Sequence, residues 1–235
     1  MFLRNKNNNT NTENIIENCK IKTIVEIQEK DYVSINKDSK KYYGGRQNWW
    51  KDKDNRLYNY GCGVIAMADL QSYILGKKMY SFDEYEKYIK QMLKKYYGFF
   101  LAKGVPFWKM MVGFYFFMRK KRKKVFALWG PSLRKETAKK LIFQMLKNNK
   151  PVPAAYYVFI KKHGLMLYRY DEDGKKLTAA QDIKSHYFVI NAMVFINNTT
   201  YLKISSWGEV YYIKLESWIK KLSPFSNILY WKLLN

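Results

Sequence analysis

Residues 63–75, GVIAMADLQSYIL, place apolar side chains on nearly every face of the helix they predict. A helix without a solvent side has to be surrounded, so this segment constrains the fold more than any other: the remaining elements must pack around it. The chain of 235 residues is long enough to do that. Gly76 closes the helix, because a glycine just past the last turn adopts the left-handed conformation that ends helices. Asp69 is the one carboxylate in the run, two turns from Cys62, and is expected to hold a buried hydrogen-bond network.

The punctuation around this rod predicts a helical half followed by a sheet half. Ser81 with Glu84 makes a capping box that opens a helix over 82–97, and Pro131 opens an amphipathic helix with Leu133, Thr137, Leu141 and Met145 at four-residue spacing. From residue 152 the character changes. VPAAYYVFI, LMLYRY, YFVINAMVFI, TYLKISSW, VYYIKL and ILYWKLL are rich in aromatic and β-branched residues, separated by DEDG, NNT and WGE turns. Helices first and strands afterwards argue for α+β: one domain over 41–235, its buried central helix packed on an antiparallel sheet. Residues 1–40 begin as the polar NKNNNTNTEN tail and are expected to be partly ordered at most, with Ile15, Ile16, Ile21, Ile24, Val25 and Ile27 able to dock on the body.

Charge narrows the partners without fixing them. Lys and Arg number 43 against 19 Asp and Glu, a net charge of +24, and Arg119–Lys124 stand together as RKKRKK. Such a field draws acidic peptide, anionic lipid or nucleic acid, and it equally describes a lysine-rich solvated surface. No nucleic-acid-binding signature accompanies it, so nucleic acid ranks last. GVPFWKMMVGFYFFM, residues 104–118, holds Pro106 and Lys109 and is too short to span a bilayer. It reads as a buried helix or groove wall, or as an interfacial segment beside the basic run. MFLRNKNNN lacks the apolar stretch of a secretory signal, which makes the cytoplasm the expected address. Two cysteines and two histidines without zinc-ligand spacing predict no metal site, and no cofactor is expected.

Cys62 falls in the first helical turn, between Gly61 and Gly63. Unpaired backbone N–H groups and the positive end of the macrodipole favour an anion there, so its thiol pKa is expected to be lowered. Gly61 is expected to allow a sharp turn and Gly63 to leave room for a substrate. The other reading of Cys62 is an inert small hydrophobe at a tight turn. His186 opens the strongest strand. With NNT as the turn, Ile196 faces Thr200 and His186 falls opposite Val210, which brings SSWG (205–208) to the same end of the hairpin. A histidine there can serve a thiol across a cleft as its base, whereas His163, in the loop KKHG, has no comparable placement.

GCG leading into a buried helix, then HYFVI, YLKISSWG and VYYI on strands, resembles the papain-like cysteine peptidase fold. Within it the chain is similar to the peptidases that trim double-glycine leaders from bacterial peptides, and to stand-alone bacterial proteins like them. The likeness covers roughly 42–235 and includes GGRQNWW and NNKPVPAAYY. It implies Cys62 as nucleophile, His186 as general base, Gln47 as an oxyanion-hole amide and Ser205 in the place where relatives carry Asn or Asp. It also implies hydrolysis of a peptide or isopeptide-type amide, with the lysines favouring acidic or lipid-associated substrates. An apolar groove lined by the stretch Phe99 to Phe117 with Trp49 and Trp50 is expected. A serine brings no charge to the third position, so the alternative is a catalytically silent papain-like module that binds acidic peptide or an anionic membrane surface. The absence of a GxxxxGK[ST] loop argues against transport coupling.

Overall fold

A computed structural model describes residues 21–27, 32–98, 104–130, 135–157 and 164–234. Cys19, Phe99, Pro131, Leu133 and His163 lie outside the described residues. The first half runs β1 (Ile21–Glu26), β2 (Ser34–Lys37), β3 (Lys40–Tyr43), a 3-10 turn (Gln47–Trp50), α1 (Asn55–Tyr60), α2 (Cys62–Ile74), β4 (Met79–Ser81) and α3 (Phe82–Lys95). It continues with α4 (Phe107–Lys120), β5 (Lys124–Trp129) and α5 (Lys135–Lys147). The second half holds β6 (Val152–Tyr157), β7 (Leu165–Tyr170), β8 (Leu177–Ile183), β9 (Ser185–Ile196), β10 (Thr199–Ser206), β11 (Glu209–Lys214), α6 (Leu215–Ile219) and β12 (Leu229–Leu234). The fold class is α+β, built on a large antiparallel sheet.

The apolar rod behaves as its composition demands. Gly63 through Ser72 are buried without a break, and Gly76 ends the helix at φ +74°. α2 packs against β9 and β6 of the sheet and against α3 and α4 on its other sides. The capping box forms as expected: Ser81 Oγ accepts from Glu84 N–H, and the Glu84 carboxylate accepts from Ser81 N–H.

β9 is the spine of the seven-stranded sheet, whose order is β1-β9-β10-β11-β7-β8 with β6 also on β9. Its length lets β1 pair with the 192–196 end and β6 with the 185–190 end, while β10 runs along the opposite edge. One face of β9 packs on α2, and along the strand's 192–196 end Ala192, Val194 and Ile196 cluster with Tyr201 and Tyr212 of neighbouring strands, so both faces are largely buried. That double burial explains why β9 is nearly all apolar.

Several elements differ from expectation for definable reasons. β1 completes the main sheet and β2 pairs with β3, so the domain boundary drawn at 41 falls within a hairpin. β12 leaves the main sheet for β5, which itself begins inside the basic run and carries little strand signal. The buried side of α5 runs through Ala138, Ile142, Met145 and Leu146, one position on from most of the expected stripe. In α4, Met110, Phe114, Phe117 and Met118 are buried while Trp108, Val112, Tyr115 and Phe116 face out, so the helix is only half buried. Among the described residues no helix is long and apolar enough to cross a membrane.

Candidate active site

Cys62 begins α2 directly after α1, with Gly61 as the joint. Gly61 N–H donates to Leu57 O at 2.9 Å and Gly61 O accepts from Ile65 N–H at 3.0 Å, so one helical ladder hands over to the next. The glycine is needed for space: its φ is an ordinary −76°, but a Cβ there would collide with the Leu57 carbonyl. Gly63 likewise leaves room for a neighbour already present, since its Cβ would stand 3.2 Å from Tyr187 Cδ2. Neither glycine acts as the sequence suggested, through a sharp turn or an open path for substrate.

Cys62 keeps a partly open side, yet protein crowds it elsewhere. Burial pushes its thiol pKa up, opposed by hydrogen bonding from the backbone of Tyr187 and of the first helical turn. The expected lowering is therefore overturned: desolvation of the sulfur outweighs the helix end. His186 is buried, and burial pushes its pKa down to about 3. Both shifts favour the uncharged species, so the resting pair is thiol and neutral imidazole. Among the described residues no hydrogen bond joins the two side chains directly.

The imidazole is held from two directions. Its Nε2 lies 2.6 Å from Ser206 Oγ, and the Trp207 ring stacks on it at 4.0 Å between centroids and 19° between planes. The serine at this position is Ser206, which corrects the assignment of Ser205. The register differs from the expected one, but alternation along the strand is what decides the serine. The β9–β10 turn is the two-residue Asn197–Asn198, both left-handed at φ +47° and +59°, so Ile196 faces Thr199 instead of Thr200. A bulge at Lys203/Ile204 shifts the pairing once more, setting Ser205 opposite Val189. The two steps add up to two residues and so leave the faces as they were: even-numbered residues of β10 share a face with His186 in the expected register and in the observed one, which selects Ser206.

Ser205 holds a different part of the site: its Oγ donates to Tyr43 O at 3.0 Å. This staples the loop leading to Gln47, which Asp69 also grips by accepting from Gly45 N–H at 2.9 Å and Tyr85 Oη–H at 2.6 Å. Asp69 is thus the centre of a buried network, as expected. Gln47 Nε2 donates to Tyr58 O at 2.8 Å, and its Oε1 is buried without a partner among the described residues. One Nε2 hydrogen is left, because an amide nitrogen carries two.

Cys62, His186, Gln47, Ser205, Ser206 and Trp207 all border one small cavity of about 10 Å³, the size of a single water site. His186 and Tyr187 also border a larger groove of about 500 Å³, lined by Val105, Phe107, Trp108, Tyr156, Tyr157 and Phe225 among others. Trp49 and Trp50 do not line it. They pack with Phe82 and Tyr85, and Trp50 Nε1 donates to Glu86. Phe117 is buried in the core. Among the described residues no group of three or more His, Cys, Asp or Glu is placed to hold a metal.

Sequence reasoning missed Ser206, Trp207 and the Tyr187 backbone. Trp207 had a readable signal, a bulky residue before glycine in a two-residue hairpin turn, where it is forced to φ +46°. Asparagine tolerates that conformation better, so Trp207→Asn removes roughly 1 kcal/mol of backbone strain while losing the ring stack. The expected result is a melting temperature within a few degrees of wild type, read from a thermal melt. No family model matches the chain, and no curated protein is detectably similar to it.

Proposed function

We propose that the chain is a papain-like amide hydrolase acting on a peptide or isopeptide bond through Cys62, with His186 as its base. The observation that carries this reading is the single cavity bordered by the Cys62 thiol at a helix start, the Ser206- and Trp207-held imidazole, and the Gln47 amide. In the tautomer with the proton on Nε2, Ser206 Oγ accepts and Nδ1 is left as the base. Nδ1 takes the thiol proton as sulfur attacks the carbonyl carbon, and the oxyanion is held by first-turn backbone N–H and by Gln47 Nε2. The imidazolium then protonates the leaving amine. Water, deprotonated by the same nitrogen, hydrolyses the thioester and restores the thiol. The aromatic lining of the groove suits an apolar or aromatic segment of substrate better than an acidic one.

The second reading, a silent module of the same fold, is favoured by two observations. The resting pair is uncharged and not directly bonded, and Ser206 Oγ can donate to Nε2 as readily as accept, so it fixes the tautomer less firmly than a carboxamide or carboxylate. p-Nitrophenyl acetate separates the two without knowledge of the peptide. The hydrolase gives a burst of p-nitrophenolate stoichiometric with Cys62, an acetyl thioester visible by intact-mass spectrometry, and continued turnover; Cys62→Ala gives none of these. A burst no greater than that of Cys62→Ala establishes the silent module.

A further inference from the structure

Helix α4 carries a pattern for which the proposed reaction has no use. Trp108, Val112, Tyr115 and Phe116 recur at i, i+4, i+7 and i+8, so they share one side of the helix, and they are 45%, 47%, 44% and 55% exposed. The opposite side is committed to the core. A contiguous water-facing stripe of this kind marks a surface that meets something apolar.

The basic run continues from the stripe's last turn. Arg119, Lys120, Lys121, Arg122, Lys123 and Lys124 are all exposed, and among the described residues none of the six is ion-paired. The helix closes through Lys123 N–H donating to Met118 O at 2.9 Å, with Arg122 left-handed at φ +56°. Glycine takes that conformation at least cost. Arginine there keeps six cationic side chains in succession at the end of the stripe.

We propose that this side of α4 docks on an anionic lipid bilayer, the stripe at the boundary between headgroups and acyl chains and the basic turn against the phosphates. Charge complementarity selects this occupant. A second copy of the chain brings the same uncompensated cations, and nucleic acid neutralises them but leaves Val112 and Phe116 wet. A bilayer of anionic lipid supplies both an apolar layer and a negative surface to one helix. Docking does not depend on hydrolysis, although Trp108 also borders the groove and places its mouth near the lipid.

The test co-sediments the full chain with vesicles of phosphatidylcholine alone or mixed with phosphatidylglycerol, at low and at physiological salt. Binding to mixed vesicles but not to neutral ones is expected. Val112→Ser with Phe116→Ser should weaken it about tenfold or more, and each of Lys120→Gln and Lys121→Gln about fivefold. Unchanged melting curves establish that these exposed positions leave the fold intact, and Cys62→Ala should sediment as wild type. Three results each overturn the proposal: no sedimentation with mixed vesicles at low salt; binding indifferent to the Val112/Phe116 pair, which reduces it to net charge; or a dimer in sedimentation velocity that the same pair of substitutions dissolves.

Discussion

With His186 as the proposed base, His186→Ala should lower steady-state turnover of p-nitrophenyl acetate by about 10²- to 10⁴-fold, the range a positioned general base contributes. Formation of the thioester on Cys62 and its hydrolysis should both slow, because in the proposed mechanism one nitrogen takes the thiol proton and activates the water. His186→Gln should behave the same way while keeping a polar partner for Ser206, which separates loss of the base from loss of packing. The pH profile carries the sharper signature. Burial pushes His186 down to about 3, so the base stays neutral and competent far below the ordinary imidazole range, and the acid limb of the rate should lie well under pH 6. Burial also pushes the Cys62 thiol up. Free cysteine is only a few per cent thiolate at pH 7, so iodoacetamide should alkylate resting Cys62 slowly at neutral pH and faster as pH climbs past the usual thiol range. Rapid alkylation at pH 5 to 6 that vanishes in His186→Ala would instead establish a preformed thiolate–imidazolium pair.

The parts of the fold legible in the sequence are those where one local pattern decides the outcome. α2 was readable because ten successive buried positions leave no solvent face, and α3 because its capping box is a local hydrogen-bond exchange. The juxtaposition of Cys62 and His186 at one cavity was readable at the level of elements, since a buried rod and the strongest strand had to pack together. The identity of the serine on the imidazole was legible as well but was missed: alternation along the hairpin puts Ser206 on the face of His186 in the expected register and in the observed one, so the shorter turn and the bulge change which residue stands opposite and not which face it shares. The direction of the thiol shift was hidden. A helix start is visible in sequence, but the burial that outweighs it is a product of tertiary packing and leaves no mark within GCG. β5 went unread and β12 was placed in the main sheet because their pairing is tertiary, and nothing within LYWKLL separates a strand of the main sheet from a strand of a two-stranded one.

Asp69→Asn should become progressively more stable than the wild type as pH rises from 4 to 7, by about 4 kcal/mol in total. Burial raises the Asp69 carboxyl to about 7, against the lowering effect of its hydrogen bonds from Tyr85 and Gly45. Between pH 4 and 7 the folded protein holds that proton and the unfolded chain does not, so this group's stabilising contribution is full below the unfolded pKa and is lost as pH climbs through the folded one. His186 works in the opposite sense. Its folded pKa of about 3 lies below that of the unfolded chain, so its contribution, about 5 kcal/mol, is full at neutral pH and is lost as pH falls from about 6.5 towards 3. Over pH 4 to 6.5 the two slopes cancel, and from these groups the wild type should show a nearly flat stability. Asparagine reproduces the neutral carboxyl: its oxygen accepts from Gly45 N–H and its amide donates to Tyr85 Oη, so the loop carrying Gln47 stays gripped while the titration is removed. Urea unfolding of both proteins at half-unit pH intervals measures the difference directly. A gap that stays constant from pH 4 to 7 means that Asp69 ionises in the fold as freely as in the unfolded chain, and that the buried network around it admits water.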